Sequence, residues 1–199
     1  MNIIKFDEYQ SETKRTSPDE KDVIAALENF SMGLSGESAE VVEIVHDFLF
    51  GSPLLDKEKL AKELGDVMWY IARTSGVLGR NLSNVAGISR IDAFQLINAN
   101  EIFEIERDQL RNLNRLSMKL VATTGVITDH MKKVRFQGRE IDLDLVVHQL
   151  DRALVLVSQI AYVIEYKMTA VIDMNVKKLR TRYPNGFEIK RSENRIDEE

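Results

Sequence analysis

The chain has 199 residues, 44% of them hydrophobic and 30% charged, with a formal net charge of −5. That composition belongs to a folded globular chain with room for one core or two small repeats. The negative balance and lack of a basic block give no reason to expect a nucleic-acid backbone as partner, and the absence of cysteine excludes disulfides and thiolate chemistry.

No apolar run reaches membrane-spanning length, and the start, MNIIKFDEYQ, has no apolar leader core. The expected setting is therefore a reducing cytoplasm, with no membrane partner. Only 10 Gly and 3 Pro punctuate the chain, which favours long helices over a turn-rich β fold.

In chain order, Ile3 to Arg15 reads as a short amphipathic helix with Ile4, Phe6 and Tyr9 as apolar contacts. Ser17 and Pro18 mark a fresh start, so a second helix is expected from about Asp19 to Phe48, weakest around Gly33 and Gly36. Gly51-Ser52-Pro53 ends it. Asp56 is a capping candidate for a third helix, which runs to about Leu78 before Gly79 and Asn81. A helix pair then follows, from about Ile97 to Phe136 and from Leu143 to Leu179, with Gln137-Gly138-Arg139 as the turn. The apolar stretch Leu154 to Ile164 has β-branched residues, but its length and context favour a buried helix. Tyr183-Pro184-Asn185-Gly186 closes the ordered part, and the charged segment from Lys190 to Glu199 is expected to be mobile. The fold class is all-α, a helical bundle.

Two acid pairs stand out between Gly33 and Gly79. Glu37 and Glu40 are three residues apart, as are Glu63 and Asp66. On a helix that spacing puts both members on one face, about 5–6 Å apart at Cβ. Leu34, Val41, Ile44, Leu60, Leu64, Val67 and Met68 surround them and turn both helices inward. Four acids facing across a helix pair repel unless a cation lies between them.

The sequence also repeats itself. A step of 86 residues carries Ser31-Met32-x-Leu34 onto Ser117-Met118-x-Leu120, Phe50 onto Phe136, Asp56 onto Asp142, Leu64 onto Leu150 and Val77 onto Val163. The chemistry is divided between the halves. Glu37, Glu40, Glu63 and Asp66 map to Thr123, Val126, Gln149 and Arg152, so the second half has no such acid set. His46-Asp47 maps to Lys132-Lys133, and the basic set Asn175, Lys178 and Arg182 maps back to Ser89, Asp92 and Leu96. The expected organisation is one domain of two repeats, about 1–86 with the acids and about 87–187 with the cations, followed by a tail over 188–199. Two helical hairpins sharing a period by chance is the competing explanation.

Four pieces of the chain, FDEYQSETKRT, GLSGESAEV, ELGDVMWYIA and NVKKLRTRYPNGF, resemble the MazG-like family of all-α nucleoside triphosphate pyrophosphohydrolases, relatives of the dimeric dUTPases. The family's ExxE and ExxD helices fall here on Glu37, Glu40, Glu63 and Asp66. The lysine pair that family members place between them resembles KKVRFQG, Lys132 to Gly138, in the second half. Three departures are visible. Ala39 replaces a common glycine, His46-Asp47 stands where the lysine pair is expected, and the basic C-terminal motif lies one repeat away from the acids.

The resemblance implies Mg²⁺, or Mn²⁺, held by Glu37, Glu40, Glu63 and Asp66. One glutamate would act as general base, though the sequence does not single it out. It implies a nucleoside triphosphate substrate cut to monophosphate and pyrophosphate, a role in cleansing the nucleotide pool, and a homodimer or a single chain standing in for one. Lys178 and Arg182, one turn apart, would meet phosphate oxygens, with Lys133 (or Lys132) adding to them. Asn175 would bond to ribose or phosphate, and Trp69 or Tyr70 would stack on the base.

Each assignment has an ordinary competitor. Paired acids are often solvated surface charge, Lys178 and Arg182 suit a helix C-terminus, and Trp69 suits a core. His46, His130 and His148 share no ligand spacing and read as structural. The alternative function is a helical nucleotide-binding or interaction module without turnover; a purely structural bundle comes third.

Overall fold

The computed structural model describes residues 3–18, 21–86 and 106–193, with backbone only at 3–5, 106–110 and 193. Among the described residues eight helices follow in order: α1 (Ile3–Arg15), α2 (Val23–Phe50), α3 (Lys57–Val77), α4 (Leu82–Val85), α5 (Glu106–Gln137), α6 (Leu143–Val163), α7 (Met168–Arg182) and α8 (Ile189–Glu193). Among the described residues there is no strand, and the fold is all-α.

Aspartates set the helix starts. Asp56 accepts from the Lys59 N–H and Asp142 from the Leu145 N–H, both at 2.9 Å, relieving backbone donors that have no partner inside the helix. The same chemistry moves the start of α2. Asp22 accepts from the Ile24 and Ala25 N–H groups, so the helix begins at Val23 and not near Asp19, which lies outside the described residues.

Helices α2, α3, α5 and α6 form the bundle: α2 packs on α3 and α5, and α6 packs on α5 and α3. The inner stripe of α3, with Leu60, Leu64, Val67, Met68 and Ile71, is fully buried. Each such side chain contributes roughly 1.5–3 kcal/mol by leaving water. Thr128 ties α5 to α2: its hydroxyl donates to the Ser31 carbonyl at 2.8 Å, which leaves Ser35 to donate to Thr128 at 2.7 Å. Gly33 and Gly36 do not break α2. A Cβ at Gly33 would lie 2.2 Å from the Tyr70 ring, so glycine there lets Tyr70 lie on the helix.

Several helix bounds lie 86 residues apart. Lys57–Val77 and Leu143–Val163 have matching bounds, and α4 and α7 begin at matching positions, Leu82 and Met168. At the end of α3 the N–H groups of Leu78, Gly79 and Arg80 donate to Thr74, Gly76 and Ser75. At the end of α6 the corresponding donors, Ile164, Glu165 and Tyr166, reach Ile160, Tyr162 and Ala161. Ser31 and Ser117, both buried, each bond the carbonyl three residues back at 2.9 Å. The basic set's counterparts Ser89, Asp92 and Leu96 lie outside the described residues, as does the expected helix start at Ile97.

That backbone match explains the main correction to the sequence reading. The expected single helix from Leu143 to Leu179 is two helices, α6 and α7, bent by 102°. No Gly or Pro marks the break. Glu165 makes it by adopting φ 66°, the left-handed conformation that Gly79 holds at the equivalent place. The bend folds α7 back onto α3. A second difference lies in the expected tail: Ile189–Glu193 is helical, with Arg191 paired to Glu188 at 3.2 Å.

Helix α1 splints this arrangement. The Gln10 amide donates to the carbonyls of Ala72 (3.2 Å) and Arg80 (2.9 Å) and accepts from the Leu82 N–H. Asp7 caps α4 by accepting from both the N–H and the hydroxyl of Ser83. Arg15 bonds the Tyr183 carbonyl at 2.7 Å, just past α7. Among the described residues no single helix is long and apolar enough to cross a membrane.

Candidate active site

The facing surfaces of α2 and α3 bring three of the four sequence-marked acids together. Glu37, Glu63 and Asp66 each place a carboxylate oxygen within 4.8 Å of the others. All three are partly buried, whereas Glu40 is exposed at the rim. Their spacing on two amphipathic helices does this: the apolar stripes dock, and the acids next to them are carried into the same groove.

Burial and repulsion leave Glu37 and Glu63 reluctant to ionise. Glu37 is pushed up to about 8, chiefly by burial and then by the charges of Asp66, Glu40 and Glu63, with Lys178 opposing. Burial likewise raises Glu63 to about 7, helped by Asp66 and Glu40 and resisted by Lys178 and Lys59. The site is short of positive charge.

Helix α7 supplies part of it. Lys178 Nζ lies 2.6 Å from Asp66 Oδ2, with both side chains mostly buried. Asn175 Nδ2 donates to the other oxygen, Oδ1, at 2.9 Å. Asn175 is itself 2% exposed, and its carbonyl oxygen accepts from the Tyr9 hydroxyl at 2.7 Å. Its amide is thus committed on both sides to protein groups. Gly65 makes the approach possible, since a Cβ there would stand 2.9 Å from Asn175 Cβ.

The other sequence-marked residues have different surroundings. Arg182 stands half-buried, one turn beyond Lys178. Lys133 pairs with Asp129 on its own helix, as Lys132 does at 2.5 Å, and the two lysines hold the Asp129 carboxyl down to about 2. Trp69 gives its indole N–H to Thr16 Oγ1 at 3.1 Å and meets Phe30 edge to face, 5.8 Å between centroids. Tyr70 lies over Gly33, one turn of α2 from Glu37. His130 accepts from the Asp142 N–H at 2.9 Å, a structural role.

Tyr9 and Gly65 escaped the sequence reading. Tyr9 was expected as an apolar contact, yet it is the only residue of the α1 stripe Ile4, Phe6 and Tyr9 with a hydroxyl to satisfy on burial. Gly65 separates two site residues inside a helix that has no other need of glycine there.

Comparison with known proteins agrees with this geometry. Residues 26–98 match the family model of the MazG nucleotide pyrophosphohydrolase domain, a stretch that contains both acid pairs. The matched stretch supports a MazG-like assignment. The family acts on nucleoside triphosphates and is generally dependent on a divalent metal. No curated protein and no solved structure matches the chain. Asn175 and Lys178 lie beyond the matched stretch.

Proposed function

We propose that this chain hydrolyses nucleoside triphosphates between the α and β phosphates, releasing a monophosphate and pyrophosphate, with Mg²⁺ as its metal. The observation that carries the proposal is the position of Asp66, shared between two further carboxylates and the ammonium of Lys178. An acid cluster and a cation at one point suit a cation-bearing polyphosphate.

The donor set fits a hard divalent ion. Three carboxylate oxygens on stiff helices suit Mg²⁺, which needs few protein ligands and keeps several waters. Glu37 and Glu63, raised to about 8 and about 7, are the groups a cation would relieve. When bound, the ion supplies charge neutralisation for the triphosphate and activation of water. The remaining work belongs to the chain. Lys178 turns its ammonium from Asp66 towards a phosphate oxygen, and Arg182 extends the same face by one turn. Glu40, at the rim and outside the three-acid cluster, accepts the proton of the attacking water.

The 86-residue correspondence reads as an internal duplication with the labour divided: acids from the first repeat, cations from the second. The break at Glu165 returns α7 to α3 and completes the site within one chain.

The pairing of Lys133 with Asp129 favours a second reading, a nucleotide-binding module without turnover. Incubation with a panel of ribo- and deoxyribonucleoside triphosphates plus Mg²⁺ separates the two. The enzyme releases pyrophosphate from at least one of them. A folded sample that binds nucleotide and releases none is the module.

A further inference from the structure

We infer that Tyr9 is a positioning residue for the metal site, acting through Asn175 to hold Asp66 in the orientation that completes the three-acid cluster; the inference rests on the metal-site reading above.

Three side chains from three helices form the line. Tyr9 on α1 donates to Asn175 Oδ1 at 2.7 Å, and Asn175 on α7 donates through Nδ2 to Asp66 Oδ1 on α3 at 2.9 Å. Tyr9 is 2% exposed and Asn175 2% exposed, so the bond between them is shielded from water. The donors and acceptors run one way. The Asp66 carboxylate only accepts, so it takes the NH₂ end of Asn175 and leaves the amide oxygen to be held by the Tyr9 hydroxyl. The same hydroxyl lies 3.3 Å from the Gly65 carbonyl, next to Asp66 in the chain.

Such a line orients a ligand because its far end is fixed. Helix α1 is anchored on both sides of Tyr9: Asp7 and Gln10 bind the start of α4, Gln10 also binds the Ala72 carbonyl on α3, and Thr16 receives the Trp69 indole. Asp66 then has Oδ1 held by Asn175 and Oδ2 by Lys178. Each oxygen keeps a second lone pair, and one oxygen stays within 4.8 Å of those of Glu37 and Glu63. Groups that orient metal ligands in this manner typically change metal affinity by about 10–100-fold when removed. Asn175 thus serves the protein side of the site.

The test is Mn²⁺ binding to the full chain without nucleotide, followed by electron paramagnetic resonance, for the wild type, Tyr9→Phe, Asn175→Ala and the double variant. Tyr9→Phe removes one oxygen and keeps the ring in the core; circular dichroism and a thermal melt establish that each variant is folded at the titration temperature. The expected result is Mn²⁺ affinity about tenfold weaker in either single variant, with the double variant no weaker than Asn175→Ala alone. Unchanged affinity in folded Tyr9→Phe, or effects that multiply in the double variant, would overturn the inference and leave the metal site standing. A wild type that binds no Mn²⁺ overturns the metal-site reading, and this inference falls with it.

Discussion

Gly79 and Glu165, 86 residues apart, hold the same left-handed backbone conformation with φ 66°. Glycine adopts it freely, whereas an L-residue with a Cβ is strained there by about 1–2 kcal/mol. The turn at Glu165 sends α7 back across α3, where Lys178 and Asn175 bond Asp66. No atom lies within 4 Å of a Cβ built at Gly79, so Gly79→Ala tests conformation alone. It should lower the melting temperature by about 2–4 °C per kcal/mol for a chain of this size. Glu165→Asn, which tolerates the left-handed region, should melt at or above the wild type. The exposed Lys57–Glu165 pair lost in that variant is worth about 0–1 kcal/mol.

The two glycines inside α2 should behave oppositely. Gly36 faces open space, and Gly36→Ala should stabilise the helix by about 1 kcal/mol. Gly33→Ala drives a methyl group into the Tyr70 ring and should destabilise the chain despite the same gain in helix propensity. Two denaturant melts suffice to compare them.

Stability of the metal-free protein should fall as pH rises. Glu37 and Glu63 keep their protons to about 8 and about 7 in the fold, against an ordinary 4.5. Between about pH 4.5 and 8 the native state therefore binds more protons than the unfolded chain. That relation makes stability decrease with pH across the window. Glu37→Gln should flatten the dependence and raise the metal-free melting temperature at pH 8. Because a divalent ion must displace those protons, Mg²⁺ should stabilise the wild type more at pH 8.5 than at pH 6, as a thermal melt series would read out.

Lys178→Met should separate the metal from the phosphate. Losing the ammonium beside Asp66 leaves the acids with less counter-charge, so the variant should be less stable without metal and gain more from Mg²⁺. Turnover of nucleoside triphosphate should fall by roughly 100-fold or more, about 2.7 kcal/mol, since the phosphate partner is gone.

Much of this site was legible in the sequence because it is written at helical spacing. Glu37, Glu63 and Asp66 sit on apolar helices three residues apart or one helix away, and periodicity alone carries them together. The cap at Asp56 and the bounds of α1 were readable for the same local reason. The break at Glu165 was not, because it occurs without a Gly or Pro to mark it. Tyr9 was hidden because a hydroxyl inside an apolar stripe looks like packing until its partner, 166 residues away, is in place. Lys133 shows the converse: its local partner Asp129, one turn earlier, was visible in the sequence and claims it.

The most direct measurement is a phosphorus NMR time course of a nucleoside triphosphate with Mg²⁺, wild type against Glu63→Gln, because it shows which phosphoanhydride breaks. The expected result is wild-type conversion to nucleoside monophosphate and pyrophosphate, with Glu63→Gln folded and inactive. Diphosphate and orthophosphate as the products, or equal turnover by the two proteins, would contradict a pyrophosphohydrolase site built on these acids.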